Sequence, residues 1–559
     1  MNAYERARAN CTPSNGVAHA IYFRSESDLL FGWLHYPASA ASNLGLVICN
    51  PFGYEATCSH RSIRTFAETA AKLDIPSLRF DYRGTGDSAD LAEGEEQLEA
   101  WVDNVLAAVA EMRRATGVQR VCVLGIRLGG LLAMLASRRS EAIDSLILIA
   151  PVLQGQRYLR QLRMTRLAST LGGATAPAAA SAIDPRAPLG VAEMEVSGFT
   201  LSAAAQRALA DLDMSGVDSP HWPKMLIIDG DTLPTSRAWA ERLAATSPNR
   251  FQYLALPGLI EMTMRSPMRA TVPTAMVAAA CDWLAERMMA VGPTSAGNTA
   301  VPIQAAEPPA SVMPLEYAGP GQTVTERPVF IPSDAMLFGI VTEPRGDERR
   351  RRGVILLNTG ADNHIGASRM HVTLARRWAR HGYVVLRLDL GGLGDSTTGP
   401  GCRNDEVFPE AAMDEIRAAI EYLRVHYGVE NITVGGVCSG AYHALRAAVA
   451  ELPVNQVFLV NPQNYFWKKG MRIDELHLAE VVQKPTLYVS QLFSRNAWNR
   501  LLHGDVSLVR IFRIYVNRIL LAFESTLREL ARRLTIALPQ DLGAELRTIC
   551  DRGVRVLFV

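Results

Sequence analysis

The feature that most constrains the fold of this 559-residue chain is a long internal repeat. One apolar run ends in Asn50-Pro51-Phe52-Gly53, and another ends 308 positions later in Asn358-Thr359-Gly360-Ala361. The same separation relates residues 79–88 to residues 387–396, and both segments read Arg-Xaa-Asp-Xaa-Xaa-Gly-Xaa-Gly-Asp-Ser. A fixed offset over this distance indicates two copies of one structural unit.

Each copy alternates short apolar runs with longer amphipathic segments. In the first copy we predict a strand pair over 21–36, a strand over 44–49 and a helix over 62–73. The second copy repeats the order, with a strand over 354–357 and a helix over 369–380. Strands that alternate with helices of this length favour an α/β fold with mostly parallel sheets and right-handed crossovers.

The length also favours two domains, because one hydrophobic core rarely serves so many residues. We place the first copy at 1–290, with an insert at about 152–223, and the second at 323–559, with an insert at about 463–553. Between them, residues 291–322 are rich in Pro, Ala, Gly and Ser, which is typical of an extended, mobile linker.

A second repeated motif lies farther along each copy. Residues 432–441 read Ile-Thr-Val-Gly-Gly-Val-Cys-Ser-Gly-Ala, a β-branched run that enters a glycine-flanked turn and then a helix. Gly436 and Gly440 flank Cys438 as glycines flank the serine of a Gly-Xaa-Ser-Xaa-Gly nucleophile elbow. In the first copy, 311 positions earlier, the residue opposite Cys438 is Arg127.

These motifs resemble the α/β-hydrolase superfamily, more narrowly its serine-aminopeptidase-like and thioesterase-like hydrolases, with Cys438 in place of serine. The resemblance implies two tandem α/β-hydrolase domains, with helices on both sheet faces and the inserts as caps. It also implies an oxyanion hole made by the backbone N–H groups of Ser439 and Ala361, with Gly360 beside it. We therefore expect a hydrolase, thioesterase or acyltransferase that uses Cys438 as nucleophile on an ester or thioester.

The first copy is expected to be catalytically inactive. Arg127 has no nucleophilic form, because its pKa exceeds ~12. No histidine occurs between His221 and His364, so the first copy also lacks the base of the superfamily. A buried guanidinium needs a carboxylate to offset its desolvation, and we expect Arg127 to contact Asp231 or Glu261.

The acid and base of the second copy are harder to assign. Residues 553–559 match the seventh core strand of the first copy, 224–229, so we expect the second domain to be C-terminally incomplete, either by truncation, which we favour, or because a partner completes its sheet. His364, near the predicted oxyanion loop, is the candidate base. His443 lies five residues after Cys438, which on a helix points it about 140° away, and it is expected to pack in the core.

Two other functions stay open at this stage. One is a pair of non-catalytic domains that binds a ligand or a protein, which the lack of an evident His–Asp pair favours. The other is a cysteine-type dienelactone-hydrolase-like enzyme. Arginines and lysines in the second insert would suit a substrate linked to CoA or to an acyl carrier, although most such residues only solvate a surface.

The composition limits which binding partners and which cellular compartment we expect. A net charge of +1 gives no reason to expect nucleic acid as a partner. The first residues have no apolar core of a signal peptide, and the apolar run 506–523 contains three arginines, so we expect no membrane contact. Eight scattered cysteines without a CxxC pair predict reduced thiols in the cytoplasm. We find no dinucleotide, nucleotide or metal-binding motif and expect no cofactor, and the sequence leaves the oligomeric state open.

Overall fold

The computed structural model describes residues 17–26, 28–38, 42–92, 94–172, 192–217, 222–232, 234–289, 312–315, 323–345, 351–467, 471 and 540–559. They form two compact units, Met1–Ile432 and Thr433–Val559. The division falls at the start of the elbow strand of the second copy and not in the predicted linker. Most of that linker and most of the second insert lie outside the described residues, and residues 313–315 at the end of the linker form a strand.

The first copy forms one sheet of eight strands with helices around it. Its strands, including the two of a small separate hairpin (β7 and β8), are β1 (Val17–Ser25), β2 (Asp28–Tyr36), β3 (Leu44–Cys49), β4 (Ser77–Phe80), β5 (Arg120–Ile126), β6 (Ile143–Ile149), β7 (Met194–Val196), β8 (Phe199–Leu201), β9 (Lys224–Gly230) and β10 (Phe251–Leu256). Its helices are α1 (Tyr54–Lys72), α2 (Gln97–Thr116), α3 (Leu128–Ser137), α4 (Gly155–Gly172), α5 (Ala203–Ala210), α6 (Arg237–Thr246), α7 (Leu259–Thr263) and α8 (Thr274–Met289), with a 3-10 turn at Pro267–Arg269.

The strand order is β1-β2-β4-β3-β5-β6-β9-β10. Strands β1 and β2 pair antiparallel from Ser25 opposite Asp28, and β2 pairs antiparallel with β4, whereas the pairs from β4 onward are parallel. One face packs under α2 and α3 and the other under α1 and α8, so the central strands are buried on both sides. The mostly parallel α/β fold predicted from the sequence is confirmed.

The second copy repeats the start of this topology inside the first compact unit. Its elements there are β11 (Met313–Leu315), β12 (Val324–Pro332), β13 (Met336–Pro344), β14 (Arg352–Leu357), a 3-10 turn at Ala367–Arg369, α9 (Met370–Ala379), β15 (Val384–Leu388) and α10 (Ala412–Tyr427). The antiparallel pair β12–β13 joins β15, which pairs in parallel with β14, as β1–β2 joins β4 and then β3 in the first copy.

Aromatic residues join the two copies within the first unit. Tyr22, Phe31 and Trp33 of the first hairpin share one buried cluster with Phe338 and Ile340 of the second. The Trp33 and Phe338 rings lie 4.7 Å apart between centroids. Such contacts between large apolar side chains supply much of the packing energy of an interface.

The second unit contains the elbow of the second copy. It is built on β16 (Asn431–Val437), α11 (Ser439–Val449), β17 (Gln456–Val460), α12 (Leu542–Asp551) and β18 (Arg555–Phe558). β17 pairs in parallel with both β16 and β18. Among all described residues, no helix has the length and apolar content that a bilayer crossing needs.

Candidate active site and its degenerate counterpart

The two elbows have the same backbone geometry. Cys438 follows β16 with φ 56° and ψ −107°, and Arg127 follows β5 with φ 54° and ψ −116°. Each residue is the N-cap of the next helix, and each donates its N–H to the end of the neighbouring strand, Cys438 to Val460 at 3.0 Å and Arg127 to Ile149 at 2.9 Å. A positive φ is strained for a residue with a side chain and persists only where the surroundings fix it. Both copies therefore form the nucleophile turn predicted from the sequence.

Glycines make this turn possible in the first copy. A Cβ on Gly129 would lie 2.3 Å from the carbonyl oxygen of Cys49, and one on Gly125 would lie 2.4 Å from that of Gly129. Distances this short are not compatible with any side chain, so the strand and the helix can approach each other only at glycine.

The thiol of Cys438 differs in setting from the core thiols. Cys438 is half-buried at the N-terminus of the eleven-residue helix α11, the end at which a helix dipole favours negative charge. Cys49 and Cys122 lie in core strands, and burial raises the pKa of each to about 12. Among the cysteines that the structure describes, none forms a disulfide.

The predicted oxyanion loop is a compact turn. The Asn358 side chain donates to the Asp362 carbonyl at 2.9 Å and to Asp389 Oδ1 at 2.8 Å, which fixes both ends of the turn. Gly360 has φ 59°, and Ala361 is half-buried. Within the described residues the Ala361 N–H donates no hydrogen bond.

The predicted site residues fall into two groups. Cys438 and Ser439 are neighbours in the second compact unit, whereas Gly360, Ala361 and His364 share one loop of the first unit. His443 is buried on α11 with its ring against Tyr442, which agrees with the packing role expected for it.

His364 is enclosed by two carboxylates. Its Nδ1 lies 2.8 Å from Asp389 and its Nε2 lies 2.7 Å from Asp87, and all three side chains are buried. Burial alone would lower the pKa of His364, but Asp389 and Asp87 raise it to about 10, so the ring is a cation with both nitrogens donating. A general base needs a nitrogen that can accept a proton. This geometry conflicts with the base role predicted for His364.

The same histidine belongs to an ionic network between the two copies. Arg387 pairs with Asp87 of the first copy, and Arg79 pairs with Asp395 of the second copy at 2.6 Å. Burial alone would raise the pKa of Asp87, but Arg387 and His364 hold it below its ordinary value. Because Arg79 and Arg387 are equivalent, as are Asp87 and Asp395, each copy donates its arginine to the acid of the other.

The repeated Arg-Xaa-Asp motif also explains the loop that carries these acids. Asp81 Oδ2 accepts the N–H of Asp87 at 3.0 Å, and Asp389 Oδ2 accepts that of Asp395 at 3.0 Å. In both copies this aspartate therefore caps the tight turn that follows its strand. The sequence pattern shows that the segment is repeated. It did not identify the exchange of arginines between copies, for which the only signal was an Arg and an Asp in both motifs.

One group in this network has donor atoms close enough for a metal ion. Oxygen and nitrogen atoms of His364, Asp389 and Asp395 lie within 4.8 Å of one another. A metal-binding imidazole must offer a nitrogen without a proton, but both nitrogens of His364 donate to carboxylates, and Asp395 already pairs with Arg79. The arrangement fits an ion-pair network better than a metal site.

Arg127 has a carboxylate partner, but not either of the two predicted. Its Nε donates to Glu55 at 3.0 Å, and its guanidinium also reaches the Ala150 carbonyl and Gln161. The prediction of Asp231 or Glu261 is wrong. Helix α1 begins at residue 54 and not at 62, which brings Glu55 into a helical first turn beside the elbow.

Comparison with known proteins agrees with the repeat. A family model described as serine aminopeptidase, S33, matches residues 55–194, and one described as alpha/beta hydrolase fold matches residues 354–503. A search of curated proteins finds no match.

Similar solved structures each align with about half of this chain. Est1E from Butyrivibrio proteoclasticus with ferulic acid bound is 20% identical over 48% of this chain and 100% of its own, with a TM-score of 0.36. An α/β serine hydrolase without lid from Xanthomonas campestris is 16% identical over 50% and 98%, with a TM-score of 0.31. A proline iminopeptidase-related protein from Thermus thermophilus is 19% identical over 49% and 100%, with a TM-score of 0.33.

One family model falls on each copy of the internal repeat, and each copy forms the strand-turn-helix elbow. The chain therefore belongs to the α/β-hydrolase superfamily and has two tandem domains of that fold.

Proposed function

We propose that the second copy performs acyl transfer on an ester or thioester, with Cys438 as the nucleophile. The elbow backbone alone does not support this, because Arg127 has the same backbone in a copy without a nucleophile. The observation that carries the proposal is the side chain: a half-buried thiol at the N-terminus of α11, at a strained position where the first copy has a guanidinium.

In the proposed reaction, the Cys438 thiolate attacks the carbonyl carbon of the substrate. The negative charge that forms on the carbonyl oxygen is held by backbone N–H groups, one of them that of Ser439, the residue after the nucleophile. Collapse of this intermediate breaks the bond to the alcohol or thiol, which takes a proton from water as it leaves, and the acyl group stays on Cys438. Attack by water or by an acceptor then releases the acyl group and regenerates the thiolate.

The substrate class is part of the proposal. A thioester carried by CoA or an acyl-carrier protein would suit the basic residues of the second insert, which lie outside the described residues. Reduced cysteines are the reason for proposing a cytoplasmic protein.

A ligand-binding pair without catalysis is the second candidate function. The pairing of both His364 nitrogens with Asp87 and Asp389 favours it, because no proton acceptor remains on that ring. On the enzymatic proposal, the same pairing predicts fast acylation and slow deacylation, since His364 does not activate water.

The two functions are separated by mass spectrometry of the intact protein after incubation with p-nitrophenyl acetate and with an acetyl thioester. We expect one acetyl adduct in the native protein, none at this position in Cys438→Ala, and a reduced yield in Cys438→Ser. Cys550→Ala is the matched control, because Cys550 is exposed on α12, and it should keep the adduct. An equal adduct yield in Cys438→Ala would reject Cys438 as nucleophile and favour the binding function.

A further inference from the structure

The first compact unit contains a cleft of about 830 Å³ between loops of the two copies. One end is aromatic, with Phe52, Trp101 and Phe199 of the first copy in its wall. Phe52 lies 5.6 Å from Trp101 and 6.3 Å from Phe199 between ring centroids, so the three rings form one group. A concave site with an apolar wall and a few polar groups is the usual form of a small-molecule site.

The polar part of the cleft contains Asp81, which the 308-residue offset pairs with Asp389 of the second copy. In the second copy, Asp389 is surrounded by His364, the Asn358 amide and the Asp395 N–H. In the first copy, the 308-residue offset places Ala56 opposite His364, and Ala56 lines the cleft. A histidine of the first copy, His60, also lines the cleft, but it lies beside Asp395 and Asn363, at 3.5 Å from each. Among the described residues, no histidine therefore donates to Asp81 as His364 does to Asp389.

Two acceptors in the cleft consequently lack partners. The Asn50 amide donates to the Phe80 carbonyl at 2.8 Å instead of to Asp81, and its buried Oδ1 accepts no hydrogen bond. Asp81 Oδ2 accepts the Asp87 N–H, but within the described residues no donor is found for Asp81 Oδ1. Burial and the neighbouring Asp87 raise the pKa of Asp81 to about 6, although His60 and His364 act to lower it. Among the described residues, no cation is in ion-pair contact with Asp81.

The arginines and histidines that line the cleft already lie against carboxylates. His364 lies between Asp389 and Asp87, and His60 lies 3.5 Å from Asp395. Each lining arginine pairs with a carboxylate; the pairs are Arg61–Asp405, Arg64–Glu68, Arg79–Asp395 and Arg369–Asp90. A ligand would therefore meet acceptors at Asp81 and Asn50 rather than a spare positive charge, which favours a donor or a cation over an anion.

We propose that this cleft binds a small organic amine, with its ammonium group on Asp81 and Asn50 and its apolar body against Phe52 and Phe199. The ammonium would occupy the place that His364 occupies in the second copy. Aromatic rings close to the amine would add cation–π attraction. The copy without a nucleophile would then serve as the binding domain of the chain, independently of any chemistry at Cys438.

Calorimetric titration of the whole chain with phenethylamine tests this site, and 3-phenylpropanoate, which has the same ring and the opposite charge, is the ligand control. We expect phenethylamine to bind and 3-phenylpropanoate to bind at least about tenfold more weakly. Asp81→Asn keeps the shape and the acceptor for the Asp87 N–H but removes the charge, and it should weaken phenethylamine binding about tenfold or more.

Two further variants keep the test decisive if Asp81→Asn folds poorly. Ala56→His should fill the site and abolish phenethylamine binding, and Glu193→Gln, at an exposed acid of the same cleft, should leave the affinity within about twofold. Circular dichroism would check that each variant is folded. Binding should persist in Cys438→Ala, which separates this proposal from the proposed reaction. No phenethylamine binding at millimolar concentration, equal binding of the two ligands, or unchanged affinity in folded Asp81→Asn and Ala56→His would overturn it.

Discussion

The elbows at Arg127 and Cys438 share a backbone and differ in their chemistry. Their φ and ψ values agree to within about 10°, and each holds the same place between a strand and a helix. In the first copy the side chain is neutralised by Glu55, and in the second it is a thiol at a helix N-terminus. Strand ends and close glycine contacts therefore preserve this turn, whether or not the residue in it can react.

The ion pairs that join the two copies are also repeated, but Asp87 and Asp395 differ in how deeply their ion pairs are buried. Asp87 accepts from both Arg387 and His364, and the acid and both partners are buried. Asp395 accepts from Arg79 at 2.6 Å, but His60 is 3.5 Å away and partly exposed. The ion pairs of Asp87 are therefore more deeply desolvated than those of Asp395, and we expect stability to be more sensitive to substitution of Asp87.

The largest effect is expected for Asp87→Asn. This change leaves the buried cations Arg387 and His364 with less negative charge, and it should lower the free energy of unfolding by about 3–5 kcal/mol. Asp395→Asn, at the equivalent position, should cost less. Urea unfolding at pH 7 gives both values, and a greater loss in Asp395→Asn would contradict the proposed inequality.

A smaller effect is expected from titration of His364. Its pKa in the folded protein is raised to about 10, above the ordinary value of 6.5, so its stabilisation is complete below about pH 6.5 and is lost as the pH rises through 10. The native protein should lose on the order of 3 kcal/mol more than His364→Gln between pH 7 and pH 10.

Thermal or urea unfolding across this pH range measures the difference between the two proteins. His381→Gln is the control, because His381 is exposed, and it should follow the native protein. A stability difference between native protein and His364→Gln that stays constant from pH 7 to pH 10 would show that the histidine is not a buried cation.

Much of the fold was predictable from local patterns. The hairpin at the start, the strand at 44–49, the helix at 369–380 and the two elbows depend on apolar runs and glycine spacing that the sequence displays directly. Helix α1 starts eight residues before the predicted position, because its first two turns, Tyr-Glu-Ala-Thr-Cys-Ser-His-Arg, lack an apolar stripe. Their buried face is made by Cys58 and Ser59.

The contacts within the site were less predictable than the fold, because the residues that form them are distant from one another in the sequence. The repeated motif shows that Arg79 and Arg387 are equivalent, but only packing of the copies determines that each meets the other copy's aspartate. The same holds for His364: its place in a loop near Ala361 suggested a base, whereas Asp87, 277 positions away, makes it a buried cation. The partner of Arg127 followed from the start of α1, which the sequence pattern concealed.

The smallest effect is expected for Arg127→Ala, which returns to the two elbows. The change removes an ion pair with Glu55 in which both side chains are mostly buried, and it should lower the free energy of unfolding by about 1–3 kcal/mol. Among the described residues, the Glu55 carboxylate then keeps a single hydrogen-bond partner, Tyr158, at 3.5 Å. Double substitution with Glu55→Gln should recover part of that loss, since no unpaired carboxylate remains.

Acetyl-adduct yield at Cys438 should stay within about twofold of the native value, because Arg127 belongs to the copy without a nucleophile. A loss of adduct without a loss of stability would instead assign Arg127 a part in the chemistry of the second copy.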